Sequence, residues 1–294
     1  HEWPQRHAPT ALFAVWNNCR PVGQPVRLPH TELLKHSIVF FVFTLWFIPR
    51  ILVVSFKKKL FDFADERKVH TGVVPRLGGV AFVPSILISV SLMAGISSLV
   101  LPGDANVFVV PTLQMAFGLC SLILLYFEGI MDDLVGLRYR VKFVIQILCA
   151  LLIVASGIWL NDFHGLFGLA GLSPWFGVPF SVVLVVFIIN AINLIDGIDG
   201  LASGLSIVSA FFFGIMFCYE GYWGFAMLAF SLMGTLVPFF YYNVFGDAEK
   251  RRKIFMGDTG SQCVGLILSV LAIRLSMTLP DEQPKISGGR GCLC

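Results

Sequence analysis

Charge is what this sequence has least of. Of its 294 residues only 13% are Asp, Glu, Lys or Arg, against about 25% in a soluble domain. Such a chain has too little polar surface to face water all round, and a mean hydropathy of +0.81 says the same. The net charge of +3 gives no basic excess for nucleic acid. Seven cysteines show no metal-ligand spacing. Cys120, Cys149, Cys218 and Cys263 sit in apolar runs, and the terminal Cys292-Leu-Cys294 has no upstream support as a lipidation signal. No segment reads as a soluble domain or a long linker. Residues 1–36 carry Pro4, Pro9, Pro21, Pro25 and Pro29 and lack the charged-then-apolar order of a signal peptide. They read as an irregular lead-in.

What is abundant is apolar length. A spanning helix takes about 20 apolar residues. That rule predicts an all-α polytopic membrane bundle of about eight helices, near 37–56, 78–100, 107–130, 141–160, 178–195, 201–219, 223–243 and 260–279. The domain division expected is 1–36 lead-in, 37–280 transmembrane domain and 281–294 polar tail. From Lys57 to Lys253 the basic residues fall in three clusters: Lys57 to Arg76, Arg138 to Lys142, and Lys250 to Lys253. All three follow odd-numbered helices, whereas loops 101–106, 161–177 and 220–222 hold no Lys or Arg. The positive-inside rule therefore puts loops 57–77, 131–140, 196–200 and 244–259 in the cytoplasm. Trp159, Trp175 and Trp223 read as an interfacial belt on the other side.

The closely spaced acids fall on the cytoplasmic side. Asp132 and Asp133 end the third helix, Asp196 and Asp199 follow the fifth in Asn-Leu-Ile-Asp-Gly-Ile-Asp-Gly, and Asp258 precedes the eighth in Gly-Asp-Thr-Gly-Ser. Carboxylates at membrane helix ends are costly unless paired, hydrated or bound to a cation. Two acids at a helix C-terminus also oppose the macrodipole, which argues for a ligand there. Acids beside basic loops suggest magnesium and a phosphate. Gly257 and Gly260 around Asp258, with Thr259 and Ser261 opening a helix, suit an anion. Lys68, His70 and Arg76 of the first cytoplasmic loop are candidates to clamp phosphate oxygens.

Lys68 to Gly79, Asp132 to Gly136, Asn190 to Gly200 and Asn243 to Ser261 stand in one order and at matching helix ends. In these motifs the chain resembles the polyprenyl-phosphate N-acetylhexosamine-1-phosphate transferases of the WecA/MraY type, and more the bacterial WecA-like branch. The resemblance implies a UDP-N-acetylhexosamine donor, with GlcNAc expected, and undecaprenyl phosphate as acceptor. It implies a multi-pass enzyme of the bacterial inner membrane that starts a cell-envelope glycan. By motif position Asp258 would ligate Mg2+, with Mn2+ as the alternative cation. Asp132 and Asp133 would assist the metal or the acceptor phosphate. Asn190, Asn193, Asp196 and Asp199 would position the nucleotide sugar, and Asn243 and Lys68 would contact the donor. A homodimer is compatible with the reading. The family's later His-rich loop is missing, since no histidine follows His164. That departure favours an inactive, truncated member as the main alternative. A transporter ranks lower, because coupling sites lie near the midplane whereas these acids sit at helix ends. A CDP-alcohol-type transferase ranks lower still.

Overall fold

The computed structural model describes residues 77–100, 112–164, 171–247 and 253–277, of which the side chains of 77, 92–100 and 112 are not described. The described residues fall in one unit and contain helices without strands. A 3-10 turn, Leu77–Ala81, leads into α1, Phe82–Val100. There follow α2, Thr112–Val135; α3, Tyr139–Ala155; α4, Pro174–Ile195; α5, Leu201–Glu220; α6, Trp223–Val244; and α7, Gly257–Leu275. The helix expected at 37–56 lies outside the described residues. The other seven expected helices are present.

Five of them, α2 and α4 to α7, are long and apolar enough to cross a membrane. The chain is thus a multi-pass membrane protein, while the expected count of eight spans is not reached among the described residues. At 17 residues, α3 is about 25 Å long, shorter than a bilayer core of about 30 Å. It stops early because Gly157 takes a positive φ of 91°. Helix α4 starts earlier than expected, with Pro174 in its first turn after Ser173, a position where the missing proline N–H costs nothing.

The centre of the bundle is α7. All but four of its 19 residues are buried, and it packs against α2, α4, α5, α6 and the 3-10 turn. Glycines set how closely its neighbours come. A Cβ on Gly129 of α2 would lie 2.4 Å from the Cα of Thr259, and one on Gly265 would lie 2.7 Å from the Cα of Ile189 in α4. Without a hydrophobic drive between helices in lipid, such backbone contact supplies the dispersion that holds them. It also draws the C-terminal ends of α2 and α4 onto the N-terminus of α7.

The tryptophan belt is only partly as expected. Trp175 is 91% exposed, as an interfacial ring would be, but Trp159 and Trp223 are 7% and 5% exposed and pack inside the protein. Trp159 fills the space that a side chain on Gly177 would need.

Candidate active site

Both acids in the last turn of α2 are satisfied from outside their own helix. Asp133 accepts the backbone N–H of Asp258 at 2.8 Å on one carboxylate oxygen. Its other oxygen accepts the N–H of Thr259 at 3.0 Å and the Thr259 hydroxyl at 2.6 Å. Asp133 therefore caps α7 across the helix interface. A carboxylate here satisfies two of the unpaired amides of a helix start and faces its positive end. Helix α7 consequently begins at Gly257, three residues before the expected start, and Asp258 lies in its first turn.

Asp132 turns the other way. It accepts the N–H of Leu137 at 2.7 Å and forms an ion pair with Lys142 from the first turn of α3. The Lys142 ammonium also lies 3.4 Å from Asp258. A single cation thus sits between two carboxylates that are 126 residues apart in sequence. The Asp132 side chain is 6% exposed and that of Asp258 is 25% exposed, so the pair is open on the Asp258 side.

Asn193 fixes Asp258. Its amide donates to Asp258 Oδ1 at 2.6 Å and to the Ser261 hydroxyl at 2.8 Å. Ser261 in turn donates to the carbonyl of Gly257 at 2.9 Å. Asp196 follows α4 as its C-cap. Burial, with repulsion from Asp258 and Asp133, pushes its carboxyl up to about 8, although the Gly257 N–H works against the shift. Asp132, Asp133, Asp196, Asp258, Asn193 and Lys142 form one cluster at one end of the bundle.

The remaining site residues expected from sequence separate into three groups. Asn190, one turn deeper in α4, donates to Gln146 at 2.7 Å and to the carbonyl of Val186 at 2.8 Å. Gln146 donates to Gln262 at 3.2 Å, so Asn190 belongs to a buried amide chain joining α3, α4 and α7. Asn243 is 5% exposed and ties loops together: it accepts the N–H of Gly200 at 2.7 Å and donates to the carbonyl of Ile254 at 2.9 Å. Asp199 is exposed and ion-pairs with Lys253 at 2.5 Å, outside the acid cluster. Lys68, His70 and Arg76 lie outside the described residues.

Lys142, Lys253 and Gln146 were not among the residues expected at the site. Lys142 carried a legible signal. A cation in the first turn of a helix opposes the macrodipole, as the acids ending α2 do. Two opposite conflicts ten residues apart point to each other.

The cluster is a fit for a divalent cation of the magnesium kind. Among the described residues no group of three His, Cys, Asp or Glu side chains forms a ready cage. Magnesium asks for less: one or two carboxylates, retained waters and substrate phosphates. Asp132 and Asp258 already hold a cation, the Lys142 ammonium, between them.

The family model for glycosyl transferase family 4 matches residues 115–276, more than half of the chain and every residue of the cluster. The chain belongs to that family. It is similar to the undecaprenyl-phosphate alpha-N-acetylglucosaminyl 1-phosphate transferase of Salmonella typhi, 32% identical over 79% of this chain and 59% of the relative. It is similar to the probable undecaprenyl-phosphate N-acetylglucosaminyl 1-phosphate transferase of Bacillus subtilis, 34% identical over 84% of this chain and 66% of that one. The undecaprenyl-phosphate alpha-N-acetylglucosaminyl 1-phosphate transferase of Yersinia pestis is 31% identical over 84% of this chain and 63% of its own length. The chain therefore spans about three-fifths to two-thirds of the length of these relatives.

Proposed function

We propose that this family 4 chain transfers N-acetylglucosamine 1-phosphate from its UDP-sugar to undecaprenyl phosphate, releasing UMP. We place the reaction on the cytoplasmic face of a bacterial inner membrane, where the product starts a cell-envelope glycan. The observation that carries the reading is the bridge Asp132–Lys142–Asp258 at one end of a membrane bundle, beside a capped helix N-terminus. Substrate chemistry of this kind needs charge neutralised around a diphosphate at a lipid surface, and that cluster has the groups for it. The names of the relatives support the choice of sugar and lipid.

In the reaction an oxygen of the acceptor phosphate attacks the β-phosphorus of the donor. A new P–O bond forms, the bond from β-phosphorus to the bridging oxygen breaks, and UMP leaves with that oxygen and its electron pair. Asp258 and Asp132 would hold Mg2+. When bound, the ion would neutralise diphosphate charge and stabilise the leaving oxygen. Lys142 offers an ammonium to the same phosphates once it is released from the two carboxylates. Asn193 holds Asp258 in one orientation, and Asp133 holds the helix end that carries Asp258. Asp196, kept protonated to about pH 8 in the absence of a cation, adds no negative charge until a cation or a higher pH draws off its proton. The acceptor phosphate is already ionised near pH 7 and needs no general base.

A transfer assay tests the reading. With radiolabelled UDP-N-acetylglucosamine, undecaprenyl phosphate and Mg2+, label enters the lipid phase. Asp258→Asn lowers the rate at least about 100-fold, as loss of one preorganised charge does. Undiminished transfer in chelator, or by the Asn variant, would overturn it.

A further inference from the structure

The end of the bundle away from the carboxylates contains a second charged feature that the transfer reaction does not use. Arg274 lies in the last turn of α7 and is 4% exposed. Sixteen residues at 1.5 Å each place it about 24 Å along the helix from Asp258. Its guanidinium sits 4.3 Å above the ring of Tyr222 and 5.4 Å from that of Phe225. Among the described residues the ion pairs join Lys142 to Asp132 and Asp258, and Lys253 to Asp199; Arg274 has none. Its Nε has no hydrogen-bond acceptor. Two rings offset part of the cost of burying a guanidinium, but a ring supplies no acceptor in the plane of the fork. A buried donor left this way is costly unless a ligand completes it.

On the far side of Phe225 is an apolar cavity of about 160 Å³, which Arg274 itself does not line. Met115, Gly118 and Leu122 of α2, Phe225 of α6 and Val270 of α7 are among its lining residues. Phe225 therefore belongs both to the cavity and to the aromatic cover of Arg274, and Val270 lies one turn before Arg274 on the same face of α7. Between Met115 and Leu122 the α2 wall is open at Gly118, where a Cβ would meet nothing within 4 Å. Met115, also in the wall, is 48% exposed, so the cavity opens on the side that faces lipid. Gln114 Oε1, another atom of the lining residues, is buried and lacks a partner.

An apolar space with a fixed cation behind its Phe225 wall has the complementarity of a phospholipid, and a fork of N–H donors matches phosphate oxygens. We propose that this half of the bundle binds one anionic phospholipid, with an acyl chain in the cavity and the phosphate on Arg274. The phosphate accepts from Nε. A headgroup hydroxyl is the donor that Gln114 lacks. The site is separate from the carboxylate cluster and does not depend on which sugar or acceptor lipid reacts there.

Native mass spectrometry of the full chain in detergent tests this, with phosphatidylglycerol, diacylglycerol and inorganic phosphate as probes. Expected is one phosphatidylglycerol per chain, with neither diacylglycerol nor inorganic phosphate retained at the same concentration. Arg274→Met, which removes the charge and keeps the bulk, weakens that binding at least tenfold. Gly118→Leu, which fills the cavity from a position with room for the side chain, weakens it equally and leaves Arg274 in place. Retention of diacylglycerol as tightly as phosphatidylglycerol would remove the phosphate from the account. Retention of inorganic phosphate alone would remove the acyl chain. Wild-type affinity in Gly118→Leu would overturn the site even if Arg274→Met failed to fold.

Discussion

Asp133 and Asp132 are neighbours in sequence with different work to do, and the difference comes from which way each side chain leaves the last turn of α2. Both oxygens of Asp133 are committed to the start of α7. Its removal is expected to act first on stability. Asp133→Ala should cost about 1–2 kcal/mol, the usual worth of a helix cap. Asp133→Asn, still a good cap, should cost less. Thermal unfolding in detergent checks the order of the two. Asp196 gives a pH signature. Its carboxyl titrates near 8 in the folded protein, against 3.8 for the free side chain. Between those values the folded state holds a proton that the unfolded state has lost. The metal-free protein therefore loses stability as pH rises through that window, and the loss is complete above about 8. Asp196→Asn should flatten that slope when melting temperature is followed against pH in chelator.

At the scale of helices, the sequence showed where the elements are better than where they end. Apolar length located seven helices, because a run of about 20 apolar residues has few alternatives in a bilayer. Ends depend on partners that a linear reading does not see. Helix α2 runs to Val135, beyond the expected 130, because its terminal acids are paired by α7 and α3. Helix α7 begins early because Asp133 caps it. That Asp132, Asp133, Asp196 and Asp258 come together was legible from their motifs and from the dipole conflict at the end of α2, whereas Asp199 stands apart from them. The hydrogen bonds by which Asn190 joins helices and Asn243 joins loops were not, since an amide that braces helices and one that meets a ligand look alike in sequence. The close approach of α2 to α7 at Gly129 gives an element-scale prediction. Gly129→Ala should push the two helices apart at Thr259, costing about 1–3 kcal/mol as overpacking does. Transfer should fall with it, whereas Gly118→Ala, on the same helix with open space, should be tolerated. Melting temperatures and transfer rates of the two variants make the comparison.

For the molecule as a whole, polar chemistry is divided between the two ends of an apolar bundle. Acids and Lys142 gather at one end, and a lone buried arginine lies at the other. The interior between them is mainly apolar, with a few amides, buried serines and threonines, and the buried Glu128. Lys142 has a special place in that division, because it occupies the gap between Asp132 and Asp258. Lys142→Met should therefore bind a divalent cation more tightly than wild type and still transfer poorly, having lost its phosphate contact. Calorimetric titration with Mn2+ and the transfer assay, run on one preparation, separate those two effects.

The most direct measurement is the number of Mn2+ ions bound per chain, counted by electron paramagnetic resonance in wild type and three variants. One bound ion is predicted in wild type, lost in Asp258→Asn, weakened in Asp132→Asn and kept in Asp199→Asn. Retention of the ion by Asp258→Asn, or its loss only when Asp199 is changed, would contradict the placement of the cation between α2 and α7.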